Sequence, residues 1–154
     1  MKKLNNKGFT LIELLAVIVI LAIVVAITIP AVLSSINSAR SSAFNTTAKT
    51  VADWVEREYQ AFLVGDTGIQ NVDSNFTTAC SGLSSTGSGG TCNLTDATIR
   101  KGFLTAAGVN PSNYSDASVV LLANGRACVK LTANSSGDYK NESGNVAKSP
   151  ACTD

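Results

Sequence analysis

The 154-residue chain contains no histidine, a single methionine, a single tryptophan and three prolines. Without histidine there is no Ser/His or Cys/His pair for nucleophilic catalysis, and zinc loses its usual nitrogen ligand. Cysteine occurs four times, as Cys80, Cys92, Cys128 and Cys152, but never in C-x-x-C spacing, so a zinc site gains no support from that side either. The run "GSGG" at residues 87–90 neither follows a strand nor ends in Gly-Lys-Ser/Thr, which excludes a phosphate loop and leaves a linker. Asp73, Ser74 and Asn75 begin like a calcium loop, yet Thr77 stands where the next ligand belongs and no glutamate follows at the proper place. The expectation is a protein that is not an enzyme and carries no metal or cofactor.

Charge is also sparse. Lys and Arg number 12 against 11 Asp and Glu, a net of +1. Three of those lysines, Lys2, Lys3 and Lys7, precede Phe9; without the first eight residues, nine basic side chains face eleven acidic ones, a net of −2. Nothing in that balance favours nucleic acid or acidic lipid. Arg100 with Lys101, and Arg126 with Lys130, are two pairs of charges that read as solvated faces, so nucleic acid is not expected as a partner. Several Asn-x-Ser/Thr sequons, Asn75-Phe76-Thr77 among them, are as frequent as chance allows in a chain this rich in Asn, Ser and Thr.

What the chain does have is one long apolar run. Residues 7–30 read "KGFTLIELLAVIVILAIVVAITIP", and residues 14–33, about 20 in number, suffice to cross a hydrocarbon core of roughly 30 Å. The lysines ahead of the run place the N-terminus in the cytoplasm. A secretory signal peptide has a shorter apolar core followed by a small-residue cleavage site, for which residues 29–32 leave room. Glu13 is the feature a plain anchor does not need, because a carboxylate in or near a bilayer is costly. In a dry setting such a group requires a cation. Lys7 is the nearest in the chain. A cut after Gly8 creates another, the α-amino group of Phe9, which a staggered neighbouring copy can bring beside Glu13.

This stretch closely resembles the prepilin signature of type IV pilins, with a type IVa-like short basic leader, Gly8, Phe9, a glutamate at the fifth position after the glycine, an apolar helix and a proline. The resemblance covers about the first 30 residues. It implies cleavage between Gly8 and Phe9 by a prepilin peptidase, methylation of the Phe9 amine by the same enzyme, and a role in assembly for Glu13 together with Phe9. It also implies a helix kink at Pro30, and proline's missing amide bond makes residues 22–31, rich in β-branched side chains, a weak stretch expected to unwind in an assembled filament.

Beyond residue 33 the pattern turns amphipathic. Phe44, Thr47 or Ala48, Val51, Trp54 or Val55, Tyr59 and Phe62 recur at helical spacing, and the Gly65-Asp66-Thr67-Gly68 stretch stops the helix. The expected fold is α+β, a long N-terminal helix spine packed against a small antiparallel sheet with disulfide-closed loops. The expected layout is a leader over 1–8, a transmembrane or filament-core helix over 9–33, an amphipathic outer half over 34–64 and a globular head over 65–154. Within the head, 65–94 reads as loop, 95–107 as a short helix capped by Thr95 or Asp96, and 118–132 as a hairpin whose turn, Asn124-Gly125, supplies two positive-φ residues. A polar tail follows, with a weak edge strand near 138–140.

An even cysteine count in an exported domain reads as two disulfides, and four cysteines allow three pairings. The resemblance implies that the tail closes with a disulfide. Local pairing suits a Gly/Ser loop and a C-terminal loop, which favours Cys80 with Cys92 and Cys128 with Cys152, the second closing a loop over 128–152. The expected function is that of a structural subunit polymerising into an extracellular helical filament for adhesion, motility or DNA uptake. Its expected partners are further copies of itself, a prepilin peptidase, an assembly platform in the cytoplasmic (inner) membrane and other pilins. The precursor is expected in the cytoplasmic membrane and the mature chain in a pilus on the cell surface. The alternatives are a minor pilin, a type II secretion pseudopilin, or a membrane-tethered binding domain that never polymerises.

Overall fold

The computed structural model describes residues 9–65, 72–84 and 86–152. Helix α1 spans Leu11–Val64. It is followed by α2 (Ser74–Ala79), β1 (Gly90–Cys92), α3 (Ala97–Ala106), β2 (Tyr114–Leu121), β3 (Ala127–Ala133) and β4 (Val146–Lys148), with single 3-10 turns at Pro111–Asn113 and Lys140–Glu142. The chain divides into two compact units, Met1–Ser38 and Ala39–Asp154.

In the first unit every described residue is exposed, including Leu11 at 84% and Ile27 at 70%. A helix that is apolar all round has no polar face to turn outward, and its segment is long and apolar enough to cross a membrane. Pro30 sits inside the helix, which continues through it. Proline cannot donate the bond that the Ala26 carbonyl would accept. Close by, the Thr28 hydroxyl donates to the Val25 carbonyl at 3.3 Å and the Ser35 hydroxyl to that of Ala31 at 3.2 Å.

In the second unit, α1 presents a buried stripe of Phe44, Ala48, Val51, Ala52, Trp54, Val55 and Tyr59. The spacing follows the helical period, so these side chains share one face. The antiparallel sheet has order β1-β2-β3-β4. In β3 burial alternates strictly, with Ala127, Val129, Leu131 and Ala133 inward and Cys128, Lys130 and Thr132 outward. The inward residues and the α1 stripe form one core together with Phe76, Phe103 and Leu104. Trp54 meets Phe103 edge-on at 4.9 Å and Phe76 at 6.1 Å. Polar ties reinforce the packing: the Ala127 amide donates to Glu56 Oε1 at 2.9 Å, the Asp73 amide to Glu58 Oε2 at 3.0 Å, and the Gly89 amide to the Tyr59 hydroxyl at 3.3 Å.

Four local expectations are corrected. The segment 65–94 is not all loop. Asp73 caps α2 by accepting from the Asn75 amide at 2.7 Å, and the burial of Phe76 against Trp54 holds that short helix. The glycine-rich stretch ends in β1, paired with β2 from Gly90 opposite Leu121 to Cys92 opposite Val119. Gly89 has φ +81°, and a Cβ there would collide with the Leu121 carbonyl, so glycine is what admits this edge. Helix α3 is shorter than 95–107, capped by Asp96 and ended by Gly108 at φ +77°. The hairpin turn is not two-residue: only Gly125 has positive φ, residues 122–126 form the loop, and the Leu122 amide closes it on the Arg126 carbonyl at 2.8 Å. Asn124 contributes its side chain instead, accepting from the Arg126 amide at 3.1 Å.

The tail has no strand at 138–140. There the Asp138 amide and carboxylate are both engaged by the Asn113 side chain at 3.0 Å, and the edge strand falls at β4, where Ala147 is buried. Of the expected helix stop, residues 66–68 lie outside the described residues.

Candidate functional site

The first helical turn carries the candidate assembly residues. Gly8 and Lys7 lie outside the described residues, and Phe9 is 90% exposed. Glu13 is held by Thr10: one carboxylate oxygen, Oε2, accepts from the Thr10 amide at 2.8 Å and from the Thr10 hydroxyl at 2.7 Å. In return the Glu13 amide reaches the Thr10 hydroxyl oxygen at 3.4 Å. This is a reciprocal capping box, Thr10 as the N-cap and Glu13 three residues on, and it satisfies amides that otherwise have no partner at a helix start. The negative charge also lies at the favourable end of the helix dipole. Among the described residues no hydrogen bond goes to the other carboxylate oxygen, Oε1, so the group keeps an open acceptor on an exposed face. Thr10 was not among the expected site residues, although the spacing Thr10-x-x-Glu13 ahead of an apolar run is a readable sequence signal.

The four cysteines are joined in the head as Cys80–Cys92 and Cys128–Cys152. The first links the end of α2 to β1 and is buried, both residues at 3% exposure. The second links β3 to the tail beyond β4 and is half-buried. Ser149, beside it, is buried and pins the tail: its hydroxyl accepts from the Val129 amide and donates to the Ala127 carbonyl, both at 2.9 Å. Among the described residues no group of three His, Cys, Asp or Glu side chains is placed to hold a metal.

These features define a protein with a bare apolar N-terminal helix and a disulfide-tied α+β head. Residues 3–29 match the family model described as the prokaryotic N-terminal methylation motif, and the chain thus carries the leader signature of type IV prepilins. Comparison with curated proteins and with solved structures found no match.

Proposed function

We propose that the chain is a type IV pilin-like subunit, cleaved between Gly8 and Phe9, methylated at the Phe9 amine by a prepilin peptidase, and polymerised with further copies into an extracellular helical filament. The precursor resides in the cytoplasmic membrane, where an assembly platform and other pilins receive it. The observation that carries this reading is the methylation motif over residues 3–29 with a carboxylate, Glu13, inside an apolar helix whose every described residue up to position 38 is exposed. Apolar surface of that extent is stable only in lipid or against other protein. The capping box occupies one carboxylate oxygen of Glu13 and supplies no cation; in a dry helix bundle the Phe9 amine of a neighbour, which exists only after cleavage, completes the pair. Pro30 and its neighbours form the stretch that unwinds when the filament is packed.

Filaments sheared from cells and identified by mass spectrometry test this. Abundant chain beginning at methylated Phe9 supports a main subunit, traces indicate a minor pilin, and absence from filaments indicates a pseudopilin or a tether. Glu13→Ala should be made and cut but build no filament; normal piliation in that variant removes the ion-pair argument. Gly8→Glu should leave a precursor whose N-terminal mass still includes Met1.

A further inference from the structure

A cleft of about 260 Å³ opens on the head, lined by Thr47 and Thr50 of α1, Asn110 and Asn113 ahead of β2, Tyr114 at its start, and Tyr139 between β3 and β4. Tyr114 occupies it because of a break in the strand. Counting back from Leu121 through Val119 and Ala117, alternation would turn Ser115 inward; instead the β2–β3 register slips between Tyr114 and Asp116, and Tyr114 faces in. Such bulges commonly re-aim a side chain. Tyr114 is only 4% exposed, and its hydroxyl has no hydrogen-bond partner. The Thr47 and Tyr139 hydroxyls stand beside it without hydrogen-bond geometry. Leaving a buried hydroxyl unpaired is costly, and phenylalanine would avoid that cost at this position.

The lining narrows the chemistry. It contains hydroxyls and amides but no charged side chain, and Asp138 next to Tyr139 is engaged by Asn113. An anion therefore finds no counter-charge, and a cation finds only the Asp138 carboxylate, which lies outside the lining. Val109 and one half-buried ring, Tyr139, packed on Phe44 at 5.4 Å, are too little apolar surface for an acyl chain. The volume lies just below the roughly 300–1,000 Å³ that hold drug-sized ligands, which suits one ring.

We propose that this cleft binds a single neutral sugar residue, its ring against Tyr139 and one of its hydroxyls hydrogen-bonded to Tyr114 Oη. Tyr114 Oη is covered in the free protein, so the half-buried Tyr139 ring shifts to uncover it and keeps its face against the sugar. This site lies within the head and does not depend on filament formation.

Full-length protein in detergent micelles is titrated with glucose, galactose, mannose and N-acetylglucosamine, each free and as its methyl glycoside, and binding is read by saturation-transfer NMR. Transfer to at least one sugar is expected. Equal binding of the methyl glycoside identifies the end residue of a glycan as the source, and binding of the free sugar alone identifies a free monosaccharide. Tyr114→Phe should weaken binding about fivefold to tenfold, the factor one neutral hydrogen bond carries, and raise the melting temperature because an unpaired hydroxyl is gone. Thr50→Val, on an exposed helix position, should weaken binding without altering the melt. Absence of transfer to every sugar overturns the proposal, as does wild-type affinity in Tyr114→Phe. A lowered melting temperature in that variant would show the hydroxyl already paired, and loss of filaments without any sugar binding would make the occupant a second copy of the chain; either result also overturns it.

Discussion

Val24 and Val129 are the same residue in two regions with opposite fates: the first is 49% exposed on the N-terminal helix, the second fully buried under the sheet. Within Ala39–Asp154, α1 is interrupted at helical spacing by Lys49, Asp53 and Arg57, so its apolar residues form a stripe that the sheet and the two short helices can cover. Over residues 14–33 no charge breaks the run, and an apolar surface with no outside has no inside either. Apolar composition alone thus does not make a core. The head folds on itself, whereas the N-terminal helix leaves its apolar surface exposed. Val129→Asp should prevent cooperative melting of the head, because an unpaired charge at a fully buried position costs more than about 4 kcal/mol. Val24→Asp should leave the melting of the head unchanged in detergent and reduce membrane insertion, by about 2.5–3.5 kcal/mol at a helix centre. Near-UV circular dichroism and carbonate extraction read the two effects; equal melting shifts in both variants would break the comparison.

The head also differs from the helix in being cross-linked. Its disulfides close loops with sequence separations of 12 and 24, and each should contribute about 3 kcal/mol, so replacing either cysteine pair by alanine lowers the stability of the head by that order. Their exposure differs, and so should their order of opening. Under mild reductant Cys128–Cys152, half-buried, should be alkylated before Cys80–Cys92, which is buried. Pulsed alkylation with mass spectrometry gives the order, and the reverse order would show that the α2–β1 region opens before the tail.

How much of this the sequence disclosed follows the same division. The long helix, its buried stripe, the short helix before β2 and the central hairpin are carried by periodicity and turn chemistry over many residues, and those signals are local. Helix α2 is six residues long and exists because Phe76 fills the edge of Trp54, a contact that only the folded chain provides. Strands β1 and β4 have three residues each and no alternation to read; pairing with β2 and β3 defines them. The bulge that turns Tyr114 inward leaves no mark on composition. At the helix start the reason is different: Glu13 reads first as a charge, and that reading masks the Thr10-x-x-Glu13 spacing, although it lies in plain view.

A smaller effect belongs to the head alone, since residues 9–38 contain no tyrosine. Burial, ahead of any effect of its neighbours, pushes the Tyr114 hydroxyl up from its ordinary value of 10.0 to about 12. A group whose value is raised on folding contributes fully below the unfolded value and loses that contribution as pH rises through the folded one. The head should therefore lose about 2 kcal/mol between about pH 10 and 12 on this account, and Tyr114→Phe should flatten that part of the profile. Denaturant titrations across that range check it. In acid the exposed Asp96 acts in the opposite sense: the Ile99 and Thr98 amides hold its carboxyl below the usual carboxylate range, so its support of the α3 start is present at neutral pH and lost as pH falls through the lowered value.

The smallest expected effect lies at the start of α1 and separates the cap that Glu13 forms from the assembly role proposed for it. Thr10→Val removes the hydroxyl of the capping box and should loosen the first turn by about 1 kcal/mol, roughly a fivefold rise in amide exchange at residue 10 and Glu13, with no change in the melting of the head. A shift in that melting would show that the two regions are not energetically separate. Glu13→Gln sharpens the point, because glutamine can still accept the Thr10 amide as a capping-box partner but carries no charge to pair with an amine. If filaments fail in Glu13→Gln while its first-turn amides stay protected and Thr10→Val still assembles, the charge is what assembly requires. Failure in Thr10→Val, with assembly retained in Glu13→Gln, would instead make the capped geometry of the first turn the requirement.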